Sequence, residues 1–340
     1  MIRLIRIRIS QNIRFTPHTR PSGPSGGFGP DHPTTENNAV TTAAEADKLK
    51  TPSGIPSTQN QVERSMKLPQ SMARLLWMPL LALIAALTLV QAQPAQEYKP
   101  RVGQEGKDVI WVPTRQELVD KMLDLAKVTP NDYVIDLGSG DGRTVITAAK
   151  RGAKALGIEY NPDMVELSKR NAAQEGVADK ATFVQGDIFE SDFSQATVIT
   201  LFLLPNLNLR LRPKILDMKP GVRVVSNTFD MGDWAPDERA TLPDCSHHCT
   251  ALLWIVPAKV QGTWKMPNGE IVLQQKYQML NGSVRIGNTT TPISNGKITG
   301  DLIEFSAGTA RFTGRVGGNA IEGTIKSATG ESKWQAMRAN

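Results

Sequence analysis

The chain has 340 residues, a formal net charge of +6, 40% hydrophobic residues and 21% charged residues. This length is enough for one α/β domain and one small β domain, each with its own core. The basic excess is spread along the chain, and much of it falls in the N-terminal quarter. Because no basic stripe with interleaved aromatic residues is present, the sequence argues against nucleic-acid binding.

The N-terminal quarter differs in composition from the rest of the chain. Residues 15–65 are rich in Pro, Gly, Ser, Thr and Asn and contain few large apolar side chains. Such a segment cannot bury enough surface to fold alone. We predict that residues 1–65 are disordered or are a spurious extension, with translation starting at Met66. A surface-binding or targeting role for the alternating apolar and basic residues at its start is the alternative.

An apolar run over residues 75–90 follows a basic stretch at 66–74, and Val90-Gln-Ala92 offers small residues to a signal peptidase. This pattern predicts a bacterial signal peptide over 66–92 and a location in the cell envelope. The run is short for a membrane span, and an uncleaved anchor with membrane association through 75–90 is the alternative. The positive-inside rule would then place the folded domain outside the cytoplasm, away from cofactors made in the cytosol.

The first element of the folded region is predicted to be an amphipathic helix over residues 114–127. Thr114 and Glu117 match a Thr-x-x-Glu capping box at its start. Leu118, Met122 and Leu125 lie on one stripe of this helix, which predicts that this face is buried.

A glycine-rich turn follows the next predicted strand. The apolar strand ends in Asp136, and the chain then turns through Gly138, Gly140 and Gly142. Such a turn lets backbone N–H groups approach a ligand closely at a helix N-terminus. A second strand ends in Glu159, where a carboxylate is placed to accept hydrogen bonds from ribose hydroxyls. The two features together predict a nucleotide-like ligand.

Helices and strands alternate after this turn. We predict helices near 143–151, 162–174 and 206–217, and strands at 154–159, 181–185, 197–202 and 222–226. This alternation predicts an α/β fold with a doubly wound, mostly parallel Rossmann-like sheet and helices on both faces.

The acid before three alternating glycines resembles motif I of the class I S-adenosylmethionine (SAM)-dependent methyltransferases. In the usual dinucleotide fingerprint a glycine stands where this chain has Arg143. The rarer segments Leu203-Leu-Pro-Asn206 and Phe229-Asp-Met-Gly-Asp-Trp234 look like the membrane-anchored mitochondrial protein-lysine methyltransferases and their bacterial and archaeal relatives. The resemblance covers about residues 108–258, and we predict a methyltransferase domain over 98–258.

The resemblance implies a set of residues that bind SAM. Asp187 matches an acid that faces the adenine amino group, and Ile188 matches an apolar residue that packs on the ring. Tyr160 is expected over the adenine or ribose, with cover of the sheet edge as the alternative. For Ser139 and Asp141, ordinary turn chemistry is the alternative to cofactor contact. The full predicted set is Asp136, Gly138, Ser139, Gly140, Asp141, Gly142, Glu159, Tyr160, Asp187 and Ile188.

The resemblance also implies methyl transfer from SAM to an acceptor amine, with a protein lysine as the expected substrate. Asn206 is the candidate for orienting the amine, and it departs from the Asn/Asp-Pro-Pro-Tyr motif of enzymes that methylate nucleic-acid bases. Asp230 and Trp234 are candidates for lining the acceptor channel, or else a turn acid and a packed indole. The alternative functions are a small-molecule or lipid methyltransferase and an exported binding protein without turnover.

The two cysteines of the chain, Cys245 and Cys249, lie within Asp-Cys-Ser-His-His-Cys. A tetrahedral zinc site rarely takes all its ligands from five consecutive residues, so we predict no metal site here. A local disulfide and two free thiols remain as alternatives, and export of the protein would favour the disulfide.

Residues 261–340 show short alternating strands, which predict a separate antiparallel β barrel or sandwich. Turns are predicted at Asn281-Gly282, Asn295-Gly296 and Gly317-Gly318. Trp264 and Trp334 are expected to fill the core of this domain, and binding of a substrate or partner is its alternative role.

Overall fold

A seven-stranded sheet and a closed eight-stranded barrel form the fold of residues 97–339, the part of the chain that the computed structural model describes. The predicted N-terminal extension and the predicted signal peptide or anchor at 66–92 lie outside these residues. Between residues 97 and 339, no helix has the length and apolar character needed to span a membrane.

Four helices flank the sheet. The helices are α1 (Gln116–Leu125), α2 (Arg143–Lys150), α3 (Pro162–Gln174) and α4 (Pro205–Leu216). The strands of the sheet are β1 (Tyr133–Leu137), β2 (Lys154–Glu159), β3 (Ala181–Gln185), β4 (Val198–Leu201), β5 (Arg223–Asn227), β6 (Glu238–Thr241) and β7 (Thr250–Ile255).

The strand order is β3-β2-β1-β4-β5-β7-β6. Strands β1 to β5 pair in parallel, and β7 joins β5 and β6 in antiparallel pairs. Alternate side chains of the central strands enter two separate cores, because successive residues of a strand point to opposite faces. Val134 packs with α1, α2 and α3 on one face, whereas Ile135 packs with α4 on the other. The prediction of a doubly wound sheet with helices on both faces is confirmed.

The predicted capping box at the start of α1 is wrong. The helix begins at Gln116, Arg115 occupies the cap position, and no side chain caps the helix. Thr114 is used elsewhere: its Oγ1 accepts a hydrogen bond from Asn227 Nδ2 at 3.2 Å, and its carbonyl accepts one from Arg143 at 2.7 Å. These bonds tie the residue to the ends of β5 and α2. The predicted buried stripe is confirmed by Leu118 and Met122, which are 0% and 2% exposed.

The C-terminal region forms a closed antiparallel barrel. Its strands are β8 (Gly262–Met266), β9 (Gly269–Lys276), β10 (Met279–Ile286), β11 (Thr289–Thr299), β12 (Leu302–Ala307), β13 (Ala310–Gly317), β14 (Ala320–Ser327) and β15 (Gly330–Arg338). Pairing of β15 with β8 closes the barrel. Trp264 and Trp334 are buried in its core, as predicted, and Trp334 lies edge-on to the stacked rings of Phe305 and Phe312.

Two of the three predicted turns in the barrel are wrong. Asn281-Gly282 lies inside β10 and Asn295-Gly296 lies inside β11, where the register between these two strands shifts. A Cβ on Gly282 would stand 1.9 Å from the carbonyl oxygen of Val272, and one on Gly296 would stand 2.3 Å from that of Leu280. These glycines therefore permit close approach of neighbouring strands rather than chain reversal. The third prediction is confirmed, because the chain reverses just after Gly317.

The barrel packs on the α/β domain through the turn between β9 and β10. The ring of Tyr277 stacks on Trp234 at 5.9 Å between centroids, and its hydroxyl donates to Asp233 at 2.8 Å. Gln278 donates a hydrogen bond of 2.7 Å to the carbonyl of Ala235. The barrel thus covers the segment that joins β5 to β6.

Candidate functional site

A cavity of about 420 Å³ opens at the carboxyl ends of the parallel strands. Its floor is formed by the residues that follow β1 to β5, and residues 104–114 cover it from the other side. The sheet order reverses between β1 and β4, and doubly wound folds bind ligands at this point. Its volume lies in the range of small-molecule sites.

The glycine-rich turn after β1 forms one wall of the cavity. Gly138, Gly140 and Gly142 have φ values of 83°, 55° and 83°, a left-handed region that side chains disfavour. A Cβ on Gly142 would lie 2.8 Å from the ring of Phe183, so this position of the turn has no room for a side chain. Ser168 donates a hydrogen bond of 2.8 Å to the carbonyl of Gly140 and holds the turn against α3.

Glu159, at the end of β2, is tied to the same turn. Its carboxylate accepts hydrogen bonds from the backbone N–H of Gly140 at 2.9 Å and of Asn161 at 3.0 Å. The side chain is half-buried and lines the cavity. Glu159 therefore orients the glycine turn while presenting a carboxylate to a ligand.

Asp136, at the end of β1, is a buried carboxyl group in the cavity wall. It is 6% exposed, and Thr200 donates a hydrogen bond of 2.6 Å to it. Burial raises the pKa of Asp136 to about 7, and the nearby carboxylates of Glu159 and Asp141 raise it further against the opposing effect of Thr200. A cationic ligand group beside Asp136 would favour its ionised form.

Ser139 and Asp141 both line the cavity but have different surroundings. Ser139 is buried, and its Oγ has no hydrogen-bond partner among the described residues. Asp141 forms an ion pair with Arg143 at 2.5 Å, and its backbone carbonyl accepts a hydrogen bond from Asn171 at 2.9 Å. Asp141 thus takes part in turn chemistry, whereas the buried Ser139 hydroxyl lies against β2, where a Cβ on Gly157 would be 2.5 Å from it.

The residues after β2 and β3 form one end of the cavity. Tyr160, Asp187 and Ile188 line it together, as the sequence predicts for positions at one edge of a parallel sheet. Lys107 pairs with the Asp187 carboxylate and lies 5.0 Å from the centre of the Tyr160 ring. The hydrogen bond from Lys107 holds the pKa of Asp187 below its ordinary value.

None of the three predicted acceptor-side residues lines the cavity. Asn206 lies in the first turn of α4 and is exposed. Asp230 is exposed and accepts a hydrogen bond from the N–H of Gly232 at 3.0 Å, as a turn acid does. Trp234 is fully buried between Trp254 and Tyr277. The cavity wall after β4 is formed instead by residues 201–204, which precede α4, and by Leu207 from its first turn.

Two groups of cavity residues escape the sequence predictions. The first is the stretch 104–111 of the covering segment, which includes Lys107 and Trp111. The second comprises Phe202, Phe229 and His248, at the ends of β4 and β5 and in the loop between β6 and β7. The position of Phe202 and Phe229 after parallel strands is a usable signal, because such ends meet at one edge of the sheet.

Comparison with known proteins identifies the class of this site. Residues 136–238 match the family model for the ANTKMT methyltransferase domain. The chain is similar to the protein-lysine N-methyltransferase of Saccharolobus islandicus strain REY15A, with 43% identity over 151 residues, 44% of this chain and 94% of that protein. The chain belongs to the class I SAM-dependent methyltransferases. The resemblance inferred from motif I is thereby confirmed.

Two further relatives are similar to this methyltransferase over less than half of its length. The adenine nucleotide translocase lysine N-methyltransferase of Mus musculus is 32% identical over 120 residues, 35% of this chain and 52% of that protein. A crystal structure of an RNA methyltransferase from Salinibacter ruber in complex with S-adenosyl-L-homocysteine is 48% identical, with a TM-score of 0.42. It covers 44% of this chain and 96% of that chain.

The cofactor of this methyltransferase is SAM, and the residues of the cavity fit its chemistry. SAM carries an ammonium group, a carboxylate, a ribose diol and an adenine. The buried carboxyl of Asp136 suits the ammonium. Glu159 would hold the ribose hydroxyls, and Asp187 with Tyr160 and Ile188 would hold the adenine.

The cysteines of the methyltransferase form a disulfide between Cys245 and Cys249. Among residues 97–339, no group of three or more His, Cys, Asp and Glu side chains could hold a metal ion. The disulfide closes a short ring that contains His247 and His248. This ring is part of the loop between β6 and β7 and brings His248 to the cavity.

Proposed function

We propose that this methyltransferase transfers a methyl group from SAM to the side-chain amine of a protein lysine. The observation that carries the proposal is 43% identity to a protein-lysine N-methyltransferase over 94% of that protein's length. The aligned stretch, 151 residues, is of the length of the α/β domain that holds the cavity. The name of the mouse relative, which also refers to a lysine, supports the same substrate class.

The bound cofactor supplies an electrophilic methyl group, and the chain supplies position and exclusion of water. In-line transfer depends mainly on holding the acceptor nitrogen on the path of attack in a desolvated site. A lysine must lose its proton before it can attack. Phe202, Leu203 and Phe229 place apolar surface in the cavity wall, and such surroundings disfavour the ammonium form of a lysine that enters.

Labelled SAM tests the proposal directly. The full chain would be incubated with methyl-labelled SAM and total protein from the source cells, and the protein would then be hydrolysed to amino acids. Label in Nε-methylated lysine supports the proposal, and label confined to the lipid or small-molecule fraction overturns it. Asp136→Ala should abolish labelling, whereas the exposed Asp179→Asn should not change it.

The predicted signal peptide leads to a proposal about location. If residues 66–92 direct export or anchor the protein, its substrate is a protein of the cell envelope. N-terminal sequencing of the protein from fractionated cells tests this point. A mature chain that begins near residue 93 in the envelope fraction supports export, and an intact 66–92 segment in the cytoplasmic fraction contradicts it.

A further inference from the structure

Three side chains enclose one end of the cavity, and we call Phe202, Phe229 and His248 the aromatic pocket. The ring centroids are 5.1 Å apart for Phe202 and His248, 5.6 Å for Phe229 and His248, and 6.0 Å for the two phenylalanines. All three side chains are half-buried. They come from three different parts of the sheet edge, so only the folded domain assembles them.

The aromatic pocket lies at the opposite end of the cavity from the residues that suit the nucleoside. Asp187 follows β3 and Tyr160 follows β2, whereas Phe202 follows β4 and Phe229 lies just beyond β5. Three strand spacings of about 4.8 Å separate β3 from β4, or roughly 14 Å along the sheet edge. This end of the cavity is therefore available to the second substrate.

The backbone that carries the aromatic pocket adopts unusual conformations. Thr228, the residue before Phe229, has φ 62°, and His248 has φ 53°. Both are non-glycine residues, and a positive φ is a clear outlier for the β-branched Thr228. Such conformations are energetically unfavourable and cluster at functional sites. The disulfide between Cys245 and Cys249 restrains the loop on both sides of His248.

The imidazole of His248 has unused hydrogen-bonding capacity. Its Nδ1 is buried and has no hydrogen-bond partner within residues 97–339. A buried polar atom without a partner costs free energy, which a ligand that supplies an N–H group would recover. His247, the neighbouring residue in the same ring, is exposed and does not line the cavity.

We propose that the aromatic pocket binds the side chain of the acceptor lysine. The methylene stem packs against the rings of Phe202 and Phe229, and the lysine Nζ donates a hydrogen bond to His248. His248 thereby orients the amine toward the glycine turn, and the Cys245–Cys249 ring holds the imidazole in place. This inference rests on the proposed function and assigns its acceptor site.

Matched histidine variants of the full chain test this proposal. Initial rates of lysine methylation would be measured with labelled SAM against increasing concentrations of total cell protein, and SAM affinity would be measured by calorimetry. His248→Ala should lower kcat/KM for the protein acceptor by about tenfold, the effect of one lost buried hydrogen bond, with SAM affinity unchanged. His247→Ala should leave both quantities unchanged.

Two further variants keep the test decisive if His248→Ala unfolds. Phe229→Leu keeps an apolar side chain and should raise KM for the acceptor without changing SAM affinity. The double variant Cys245→Ser, Cys249→Ser releases the loop that holds His248, so it should also raise KM for the acceptor without changing SAM affinity. If the wild type methylates lysine and both His248→Ala and Phe229→Leu keep full activity, the aromatic pocket is not the acceptor site. The proposed function is unaffected by that result. SAM binding without any lysine methylation in the wild type overturns the proposed function, and the acceptor assignment with it.

Discussion

Thr200 on β4 donates a hydrogen bond of 2.6 Å to the carboxyl group of Asp136 on β1, and both side chains are buried. The two residues are direct partners in the parallel pairing of these strands. This hydrogen bond stabilises the ionised carboxylate, but burial has the larger effect and raises the pKa of Asp136 to about 7. The α/β domain therefore holds a carboxyl group that is costly to ionise at the centre of its cofactor site.

Replacing Asp136 should make the protein more stable at alkaline pH. Because folding raises the pKa of this carboxyl group, the folded state binds a proton that the unfolded chain releases between the ordinary value of 3.8 and about 7. The free energy of unfolding should therefore fall as pH rises through this window. Asp136→Asn should be more stable than the wild type near pH 8, by up to about 4 kcal/mol, with little difference near pH 4. Urea denaturation at both pH values measures this, and equal stabilities near pH 8 would contradict it.

SAM binding should strengthen as pH rises through 7. This follows if the ammonium group of the cofactor pairs with the ionised form of Asp136, because ionisation of this carboxyl group costs free energy below its raised pKa. Below about pH 7, affinity should fall by as much as tenfold per pH unit. Calorimetric titration between about pH 6 and pH 8 measures the effect. Asp136→Asn should bind more weakly and with a much smaller pH dependence, and an unchanged pH profile in this variant would rule out the assignment.

Gly140→Ala should disturb the cofactor site more than an equivalent change elsewhere. Both Gly140 and Gly176 have positive φ values, 55° and 69°. A Cβ on Gly140 would stand 2.7 Å from Nε1 of Trp111, whereas nothing lies within 4 Å of one on Gly176. Each alanine should cost about 1 kcal/mol of backbone strain, but only Gly140→Ala should displace Trp111 and weaken SAM binding. Thermal unfolding of the two variants measures the backbone strain, and SAM titration measures the effect of displacing Trp111. Equal SAM affinities of the two variants would contradict the prediction.

Tyr277 should contribute to the stability of the contact between barrel and α/β domain. Tyr277→Phe removes the exposed hydrogen bond to Asp233 and should destabilise the protein only slightly. Tyr277→Ala also removes the ring that stacks on Trp234 and should cost about 2–3 kcal/mol. Met279→Ala, at a position that is 53% exposed two residues further along the chain, should change stability by less than about 0.5 kcal/mol. Chemical denaturation followed by tryptophan fluorescence compares the three variants, and three equal losses would exclude a specific role for Tyr277.

The sequence specifies the parallel strands and the glycine turn well because their signals are local. The glycines and prolines between elements set the bounds of β2, β3 and α3 to the residue, and the continuous apolar run at 197–202 marks β4 to within one residue at each end. The turn through Gly138 to Gly142 needs positive φ values, which glycine supplies. Elements with signals of this kind are fixed by their own residues.

The helix cap, the glycines of the barrel and the acceptor side of the site could not be predicted in the same way. Thr114 has the residue type of a helix cap, yet contacts with Asn227 and Arg143 from distant elements decide its role. The glycines at 282 and 296 have turn composition, yet close packing of barrel strands requires them. Phe229 and His248 meet only because β7 inserts beside β5 in the antiparallel direction. Sequence patterns over a few residues carry no information on such long-range pairings.

Closure of the barrel limits how other proteins can bind to it. Met337 and Arg338 at the end of β15 pair with Lys265 and Trp264 on β8, so the ends of these two strands close the barrel. A partner that joins a sheet by adding a strand needs a free strand edge, and the seven-stranded sheet offers one at β3 and one at β6. A protein that recognises the paired strands of the barrel must therefore contact their side chains and turns instead of their backbone.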